Sequence, residues 1–269
     1  MIIDAHTHLS KSSLGPHPGK DFDQITDELL KEMKACGVDH ALVLPFPEGE
    51  MLASQPECLR QTVMHDNLHA LGTIDPLKYT QDELKTLDEL MTSRKICGLK
   101  LYPGYFHFSP QDKICLPIYK LCLKHDLPVI FHAGDTFGDE TAKLKYSHPL
   151  NFDDLAADLP DLKIIIAHLG SPWLTDTSEV LYKNPNVYAD VSGLFYSERQ
   201  PGSKYADLLS TWIQDLMLFA SPRKLIFGSD WPLHPLASYI KFVQSLKIGP
   251  KDLEYIMYKN AANLFKIKL

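Results

Sequence analysis

The chain has 269 residues, of which 45% are hydrophobic and 23% charged, and its formal net charge is -7. This composition is that of an ordinary globular protein with enough residues for a large core, and the acidic balance argues against a basic surface that holds nucleic acid. No apolar segment is long enough to span a bilayer, and five irregularly spaced cysteines are typical of reduced core thiols, so we expect a soluble cytoplasmic protein without disulfides.

Short β-branched apolar runs recur along the chain, and each predicts a strand. In chain order they are IIDAHTH, HALVLPF, LHALGTID, ICGLKLYP, LPVIFHAGD, LKIIIAHLG, NVYADVSG and KLIFGSDWP. Segments with helical periodicity lie between most of them, namely FDQITDELLKEMKACG, TQDELKTLDELM, PIYKLCLKHD, SEVLYKNP, YADLLSTWIQDLMLFA, ASYIKFVQSL and a last segment, KDLEYIMYKNAANLF. Thr80 with Glu83 predicts a capping box, and Gly37 and the Asn184–Pro185 pair predict helix ends.

Strands that alternate with helices predict a parallel sheet covered by helices. Eight such units within residues 1–269 favour a single (β/α)₈ barrel domain of the TIM type with a C-terminal helix. The alternative is an open doubly wound sheet. That fold usually has a glycine-rich phosphate turn after its first strand, whereas this first strand ends in two histidines.

The two histidines are His6 and His8 in the stretch MIIDAHTHLS. Because a strand has a period of two, their imidazoles would point to the same face with their nitrogens close together, which suits a metal ion. Paired histidines near an N-terminus also occur as tag remnants or surface residues, so the other strands have to decide.

Polar residues occur at the ends of several further strands, where the catalytic groups of a barrel gather. Lys100 lies inside the fourth run, His132 and Asp135 end the fifth, His168 ends the sixth and Asp230 ends the eighth. A lone buried histidine is usually a hydrogen-bonded core residue, and a lone aspartate at a strand end is usually a cap. Their occurrence together at one rim favours a site.

This order of residues, HxH, lysine, histidine, histidine and aspartate, resembles the amidohydrolase superfamily. Within it, the stretches GLKLYPGY, HPLNFDDLAADLPDLKIIIAHLG and FGSDWP are similar to the amidohydrolase-related branch that also contains aminocarboxymuconate-semialdehyde decarboxylase. The resemblance implies that His6, His8, His132 and Asp230 bind a metal. It implies for His168 a role as a second-metal ligand or as an acid/base and orienting residue.

Three neutral imidazoles and one carboxylate suit zinc, with manganese or iron as alternatives. We expect one tightly bound ion and leave a second open. Such an ion lowers the pKa of a bound water, and Asp230 could both touch the metal and move a proton. Asp4 shares the strand parity of His6 and His8, which makes it either a partner of a ligand histidine or a buried structural carboxylate.

Lys100 departs from the mononuclear decarboxylases of this branch. In binuclear amidohydrolases a lysine on strand four is carboxylated and bridges two ions, and an apolar strand would lower its pKa toward the neutral amine that this reaction needs. The other interpretations are an ion pair with a carboxylate or a cation that binds the substrate's carboxylate. We expect an unmodified lysine. The TatD-like deoxyribonucleases share the HxH start but have a glutamate on strand four.

The loops after the strands are rich in aromatic residues with a few cations, which suits a small planar or cyclic acid. For any single residue, packing against a neighbouring loop is the alternative. The candidate substrate contacts are Tyr102, Tyr105, Lys143, Lys145, Trp173 and Trp231, with Tyr196 and His234 in the same loops.

Two enzymatic functions follow from the resemblance. The first is a metal-dependent hydrolase that uses metal-activated water on a small amide, lactone or ester bearing a carboxylate. The second is a metal-dependent non-oxidative decarboxylase of a small aromatic or unsaturated acid. Lys100 favours hydrolysis, while a TatD-like deoxyribonuclease and a barrel without catalysis remain further alternatives. The expected partner is a small-molecule substrate, with no nucleic acid and no membrane, and a homo-oligomer stays open.

Overall fold

The computed structural model describes residues 1–11, 19–47, 51–136, 139–195 and 202–269. Each of the eight apolar runs forms a strand, and all of the strand pairs are parallel. The strands are Ile3–Thr7 (β1), His40–Val43 (β2), Leu68–Ala70 (β3), Leu99–Leu101 (β4), Val129–Phe131 (β5), Ile164–Ile166 (β6), Val187–Asp190 (β7) and Leu225–Ile226 (β8).

The strands close into a barrel. Continuous pairing joins β1 to β3 and β4 to β8. A bridge between Gly72 and Leu99 connects β3 to β4, and a bridge between Thr7 and Trp231 connects β8 back to β1. The amide of Ala5 also donates to the carbonyl of Phe227 at 2.9 Å across this second seam. The (β/α)₈ prediction is therefore confirmed.

Helices alternate with the strands, and most of them cover the outside of the barrel, as expected for parallel strands joined by crossovers. They are Phe22–Cys36 (α1), Gln55–Thr62 (α2), Gln81–Thr92 (α3), Leu116–His125 (α4), Leu144–Ser147 (α5), Leu150–Asp158 (α6), Leu174–Lys183 (α7), Lys204–Phe219 (α8), Leu236–Ser245 (α9), Pro250–Glu254 (α10) and Asn260–Phe265 (α11). A π-helical turn, Tyr255–Lys259, joins α10 to α11, so the predicted C-terminal helix is present with an irregular middle.

The predicted caps are present. The Thr80 side chain accepts from the amide of Glu83, whose side chain accepts from the amide of Thr80, and Gly37 ends α1 with a left-handed φ of 69°. The sequence analysis missed α2, α5 and α6. The helix α2 buries only Cys58 and Gln61 and therefore lacks an apolar stripe, and α5 has four residues.

The core has two layers, which follow from the alternation of side chains along each strand. One face of the strands packs against the helices. The other fills the barrel interior, where Ile3, Ala5, Ile130 and Ile165 pack together with α11. The Phe265 ring of α11 lies close to Gly98, just before β4, so α11 closes the amino-terminal end of the barrel. Within the described ranges, no helix is both long and apolar enough to cross a membrane.

The closing helix gives a stability prediction. Phe265 is 2% exposed, and replacing it with alanine would leave a cavity at the base of the interior cluster. We expect Phe265→Ala to lower the free energy of unfolding by about 3–5 kcal/mol in chemical denaturation. The control is Leu218→Ala, at a side chain that is 87% exposed and should cost no more than about 0.5 kcal/mol. Equal effects of the two substitutions would show that α11 does not close the core.

Candidate metal centre

The carboxyl-terminal end of the barrel brings together the chemistry-bearing residues predicted from separate strands. A cavity of about 520 Å³ opens at this end. His8, Lys100, His132, His168 and Asp230 line it. His6 lies behind them, completely buried. The strand order of the barrel thus converts residues that are far apart in sequence into one cluster.

Three of these side chains have the spacing of a metal site. The Nε2 atoms of His6 and His8 lie 3.7 and 3.6 Å from Oδ1 of Asp230. These three ligand atoms lie within 4.8 Å of one another. The separations are long for hydrogen bonds, but they are close to the roughly 3.4 Å between ligand atoms that each lie about 2.1 Å from a tetrahedral zinc.

The hydrogen bonds of His8 and His132 determine which ring nitrogen is left for a metal. Nδ1 of His8 lies 2.9 Å from the carbonyl oxygen of Leu44. Since a carbonyl only accepts, Nδ1 carries the proton and Nε2 presents its lone pair toward Asp230. Nε2 of His132 donates in the same way to the carbonyl of Asp135 at 3.0 Å, which leaves Nδ1 as its ligand atom.

His132 is less closely placed than the other predicted ligands. Its ring centroid lies 5.2 Å from that of His168, on the wall of the same cavity. Among the described residues, the group of ligand atoms around Asp230 consists of His6 and His8 without His132. A metal held by His6, His8 and Asp230 would gain His132 as a further ligand only if the His132 ring moved closer to these three residues.

Burial keeps these histidines neutral, which is the form that binds metals. Burial and, as a smaller cause, the nearby Lys100 ammonium lower the pKa of His8 and of His132 to about 3. Burial also holds the pKa of His6 and of His168 well below the ordinary histidine value. The donor set therefore fits a divalent cation, with imidazole nitrogens and one carboxylate as ligands.

Among the described residues that line the cavity, Lys100 is the only lysine or arginine. Its Nζ lies 3.4 Å from Nε2 of His6, and the side chain is 1% exposed. Burial lowers the pKa of Lys100, and the carboxylates of Asp190 and Asp230 oppose this effect. For Asp230 the sign is reversed: burial raises its pKa, and Lys100 opposes the rise.

Asp190 is a site residue that the sequence analysis missed. It ends β7, and its Oδ2 atom lies 2.8 Å from Nδ1 of His6. Its Oδ1 atom accepts from the amide of His168 at 2.9 Å. The signal was present in the run NVYADVSG, where an aspartate follows apolar residues as Asp230 does after β8.

Asp4 does not pair with the imidazole of a candidate ligand histidine, although its Oδ1 accepts from the backbone amide of His6 at 3.2 Å. The register between β1 and β2 shifts by one residue between Asp4 and Thr7, so strand parity with His6 is broken. Asp4 accepts instead from the amide of Ser229 at 3.0 Å and from its hydroxyl. It is a buried carboxylate that holds the segment leading to Asp230.

The predicted substrate contacts divide into two sets. Tyr102, Tyr105 and Trp173 line the cavity, together with Phe46 and Leu194, which the sequence analysis did not select. The other three candidates point elsewhere. The Trp231 indole is 1% exposed and donates to Glu32 at 2.8 Å, and both Lys143 and Lys145 are exposed to solvent outside the cavity lining.

Two further residues of these loops have different outcomes. His234 is 3% exposed and packs near Phe195 and Tyr239, outside the cavity lining. Tyr196 lies outside the described residues.

The family model described as amidohydrolase matches residues 69–267. The chain therefore belongs to the amidohydrolase family, which confirms the resemblance seen in the strand-end residues. The γ-resorcylate decarboxylase of Polaromonas sp. is 26% identical over 151 residues, and the match covers 49% of this chain and 42% of that protein. The chain thus matches less than half the length of this curated relative.

Solved structures show the same fold over nearly the whole chain. A TIM-barrel protein of Bordetella bronchiseptica has a TM-score of 0.77 at 22% identity and covers 98% of both chains. The 5-carboxyvanillate decarboxylase of Sphingomonas paucimobilis has a TM-score of 0.70 at 17% identity, covering 99% of both. A probable 2-pyrone-4,6-dicarboxylic acid hydrolase of Acinetobacter baumannii, with citric acid bound, has a TM-score of 0.69 at 17% identity, also covering 99% of both.

Gly193 provides a test of the site's geometry. A Cβ atom there would lie 2.5 Å from Nδ1 of His168 and 2.7 Å from Oδ2 of Asp230, and its φ of +61° disfavours other residues. We expect Gly193→Ala to displace these two side chains and to weaken zinc binding at least tenfold in calorimetric titration. Gly249→Ala, which meets no atom within 4 Å, is the matched control. Unchanged affinity in both variants would contradict a metal site at Asp230.

Proposed function

We propose that this member of the amidohydrolase family is a metal-dependent, non-oxidative decarboxylase of a small aromatic carboxylic acid. The observation that supports it best is the cavity, in which aromatic side chains form the walls and one buried lysine lies beside the candidate metal ligands. An aromatic ring can pack between such walls while its carboxylate meets the cation. The similarity to γ-resorcylate decarboxylase and 5-carboxyvanillate decarboxylase supports this choice of reaction.

The metal in this proposal is held by His6, His8 and Asp230, with His132 as a further ligand. Zinc is the ion that we expect, because imidazole and carboxylate ligands suit it, and manganese or iron are the alternatives. A divalent ion at this position would supply positive charge that orients an oxygen of the substrate.

The chain's own residues would perform the remaining steps. The Lys100 ammonium pairs with the substrate's carboxylate, and Tyr102, Tyr105 and Trp173 hold the ring and exclude water. The carbon–carbon bond then breaks, its electron pair stays on the ring carbon, and carbon dioxide leaves. Asp230 faces the cavity, and burial raises its pKa, so it enters this step protonated, gives its proton to that carbon and is left as the carboxylate.

Hydrolysis is the second candidate, and the position of Asp230 favours it. Its Oδ1 atom is nearly equidistant from Nε2 of His6 and Nε2 of His8, at 3.7 and 3.6 Å. A carboxylate in that position can take a proton from an attacking water and return it to a leaving group. The similarity to the probable 2-pyrone-4,6-dicarboxylic acid hydrolase agrees with this reaction. A substrate with two carboxylates, however, would find a cationic side chain for only one of them, because Lys100 is the one lysine among the described residues that line the cavity. This counts against a dicarboxylate substrate.

The test combines metal analysis with a substrate screen. Protein prepared without chelator should contain close to one zinc per chain by elemental analysis. Zinc-loaded protein should release carbon dioxide from at least one hydroxylated benzoate in a panel that also contains lactones and 2-pyrone carboxylates. Asp230→Asn should fold normally and lose turnover, because an amide cannot move the proton.

Two outcomes would count against the reaction or the metal dependence, and one would change only the identity of the metal. Ring opening of a lactone or pyrone without carbon dioxide release would establish the second candidate. Manganese or iron in place of zinc would correct the metal and leave the reaction to the screen. Protein without bound metal that also binds none on titration would refute a metal-dependent enzyme.

Lys100 separates the two reactions further. If its ammonium pairs with the substrate, Lys100→Met should lower kcat/KM about 10- to 100-fold, mainly through KM, and should retain its metal. The matched control is Lys145→Met, since Lys145 is exposed outside the cavity lining. Loss of metal on Lys100→Met would instead indicate a carboxylated lysine that bridges two ions, and this would favour hydrolysis.

A further inference from the structure

The segment that follows β7 supports two histidines of the candidate metal centre from behind. Oδ2 of Asp190 lies 2.8 Å from Nδ1 of His6. The Ser192 hydroxyl lies 3.0 Å from the same nitrogen and 2.9 Å from Nδ1 of His168. Asp190 is 1% exposed and Ser192 is fully buried, so solvent does not compete for these bonds.

The position of each proton follows from counting donors and acceptors. Oδ1 of Asp190 receives the amide protons of His168 and Ser192, at 2.9 and 3.1 Å, as well as the hydroxyl proton of Ser192. Because the Ser192 hydroxyl has a single proton and gives it to Asp190, its oxygen accepts from Nδ1 of His168. The carbonyl oxygen of Ser192, 3.2 Å from the same nitrogen, is a second acceptor for that proton. Oδ2 of Asp190 likewise accepts from Nδ1 of His6.

We propose that Asp190 is a positioning residue that fixes the proton of His6 on Nδ1 and, through the Ser192 hydroxyl and together with the Ser192 carbonyl, that of His168 on Nδ1. Both rings then present the lone pair of Nε2 away from this segment. The proposal rests on the metal centre of the proposed function and is independent of the reaction that the centre performs. It extends the histidine–carboxylate pairing seen at metal sites to a second histidine through one serine.

The same three residues could instead hold a second metal. Ligand atoms of His6, His168 and Asp190 lie within 4.8 Å of one another. An ion there would have to displace the proton of Nδ1 from His6 and the donors that already occupy both oxygens of Asp190. The hydrogen bonding therefore favours the positioning role.

Asp190→Asn is an informative substitution because an amide has one oxygen and one NH₂ group. Three donors converge on the Oδ1 side of Asp190, so the amide oxygen should take that side. The NH₂ group would then face Nδ1 of His6 and donate to it, which moves the ring proton to Nε2. Ser192→Ala removes the hydroxyl alone and leaves the bond between Asp190 and His6 in place.

The first measurement uses the wild-type protein without metal. Its histidine ¹⁵N shifts and one-bond couplings, assigned with His6→Gln and His168→Gln, report which nitrogen of each ring is protonated. We expect protonated Nδ1 on both His6 and His168. Protonated Nε2 on His6 would overturn the proposal without any need for a variant to fold.

The second measurement compares variants whose folding is checked by circular dichroism. Asp190→Asn should move the His6 proton to Nε2 and weaken zinc binding about 10- to 100-fold in calorimetric titration. Ser192→Ala should leave protonated Nδ1 on His6, which Asp190 still accepts from, and should shift the Nδ1 signals of both rings because each loses the hydroxyl as a neighbour. Retention of protonated Nδ1 on His6 in Asp190→Asn, with wild-type affinity, would overturn the positioning role, as would two zinc ions per chain whose second site is lost in this variant.

These readouts also separate this proposal from the proposed function. The tautomers are measured without metal or substrate. If the wild-type protein has the expected tautomers but binds no metal, the positioning role stands and the proposed function fails.

Discussion

The seam between β1 and β8 is the constraint on which the site depends. The amide of Asp230 donates to the carbonyl of His6 at 2.8 Å, and the amide of His8 donates to the carbonyl of Trp231 at the same distance. These backbone bonds bring the first and last strands of the barrel into register. Closure of the sheet therefore determines the spacing between His6 and His8, near the start of the sequence, and Asp230, near its end. Side-chain contacts between these residues are not needed to set that spacing.

The second constraint is backbone strain at the same end of the barrel. His168, Leu169 and Asp230 have φ values of 57°, 51° and 61°, in the left-handed region that residues other than glycine rarely occupy. Each such conformation costs about 1–3 kcal/mol, and it persists because surrounding bonds determine it. For His168 that bond is from its amide to Asp190, and for Asp230 it is the bond to His6. The residues that support the site thus also offset its strain.

Sequence periodicity predicted the barrel because each strand is short, apolar and separated from the next by a helix or a loop. The same logic placed His6, Lys100, His132, His168 and Asp230 at one end, since that placement depends only on strand order. Side-chain direction beyond the last residue of a strand could not be predicted in this way. Trp231 follows Asp230 directly, yet its indole points to Glu32 on α1, which is a tertiary contact.

Asp4 and Asp190 show the same limit from two sides. Parity suggested Asp4 as the partner of a ligand histidine, but a one-residue register shift in β1 removed it from that position. Asp190 is the carboxylate that pairs with the His6 imidazole. The sequence analysis did not select it, although its run has an aspartate after the apolar residues just as the eighth run has. Which of two buried carboxylates faces an imidazole is decided by the pairing of neighbouring strands, which a single strand's pattern does not contain.

The complete burial of His6 has a consequence for exchange of a bound ion. Since His6 lies behind the cavity wall while His8 and Asp230 line it, an ion would reach these three residues through the cavity, the same space that the proposed substrate would occupy. A molecule packed between Tyr105 and Trp173 would stand in the path of a chelator. An organic molecule in the cavity would then slow the loss of the ion. The organic molecule would have to leave first, and the ion second.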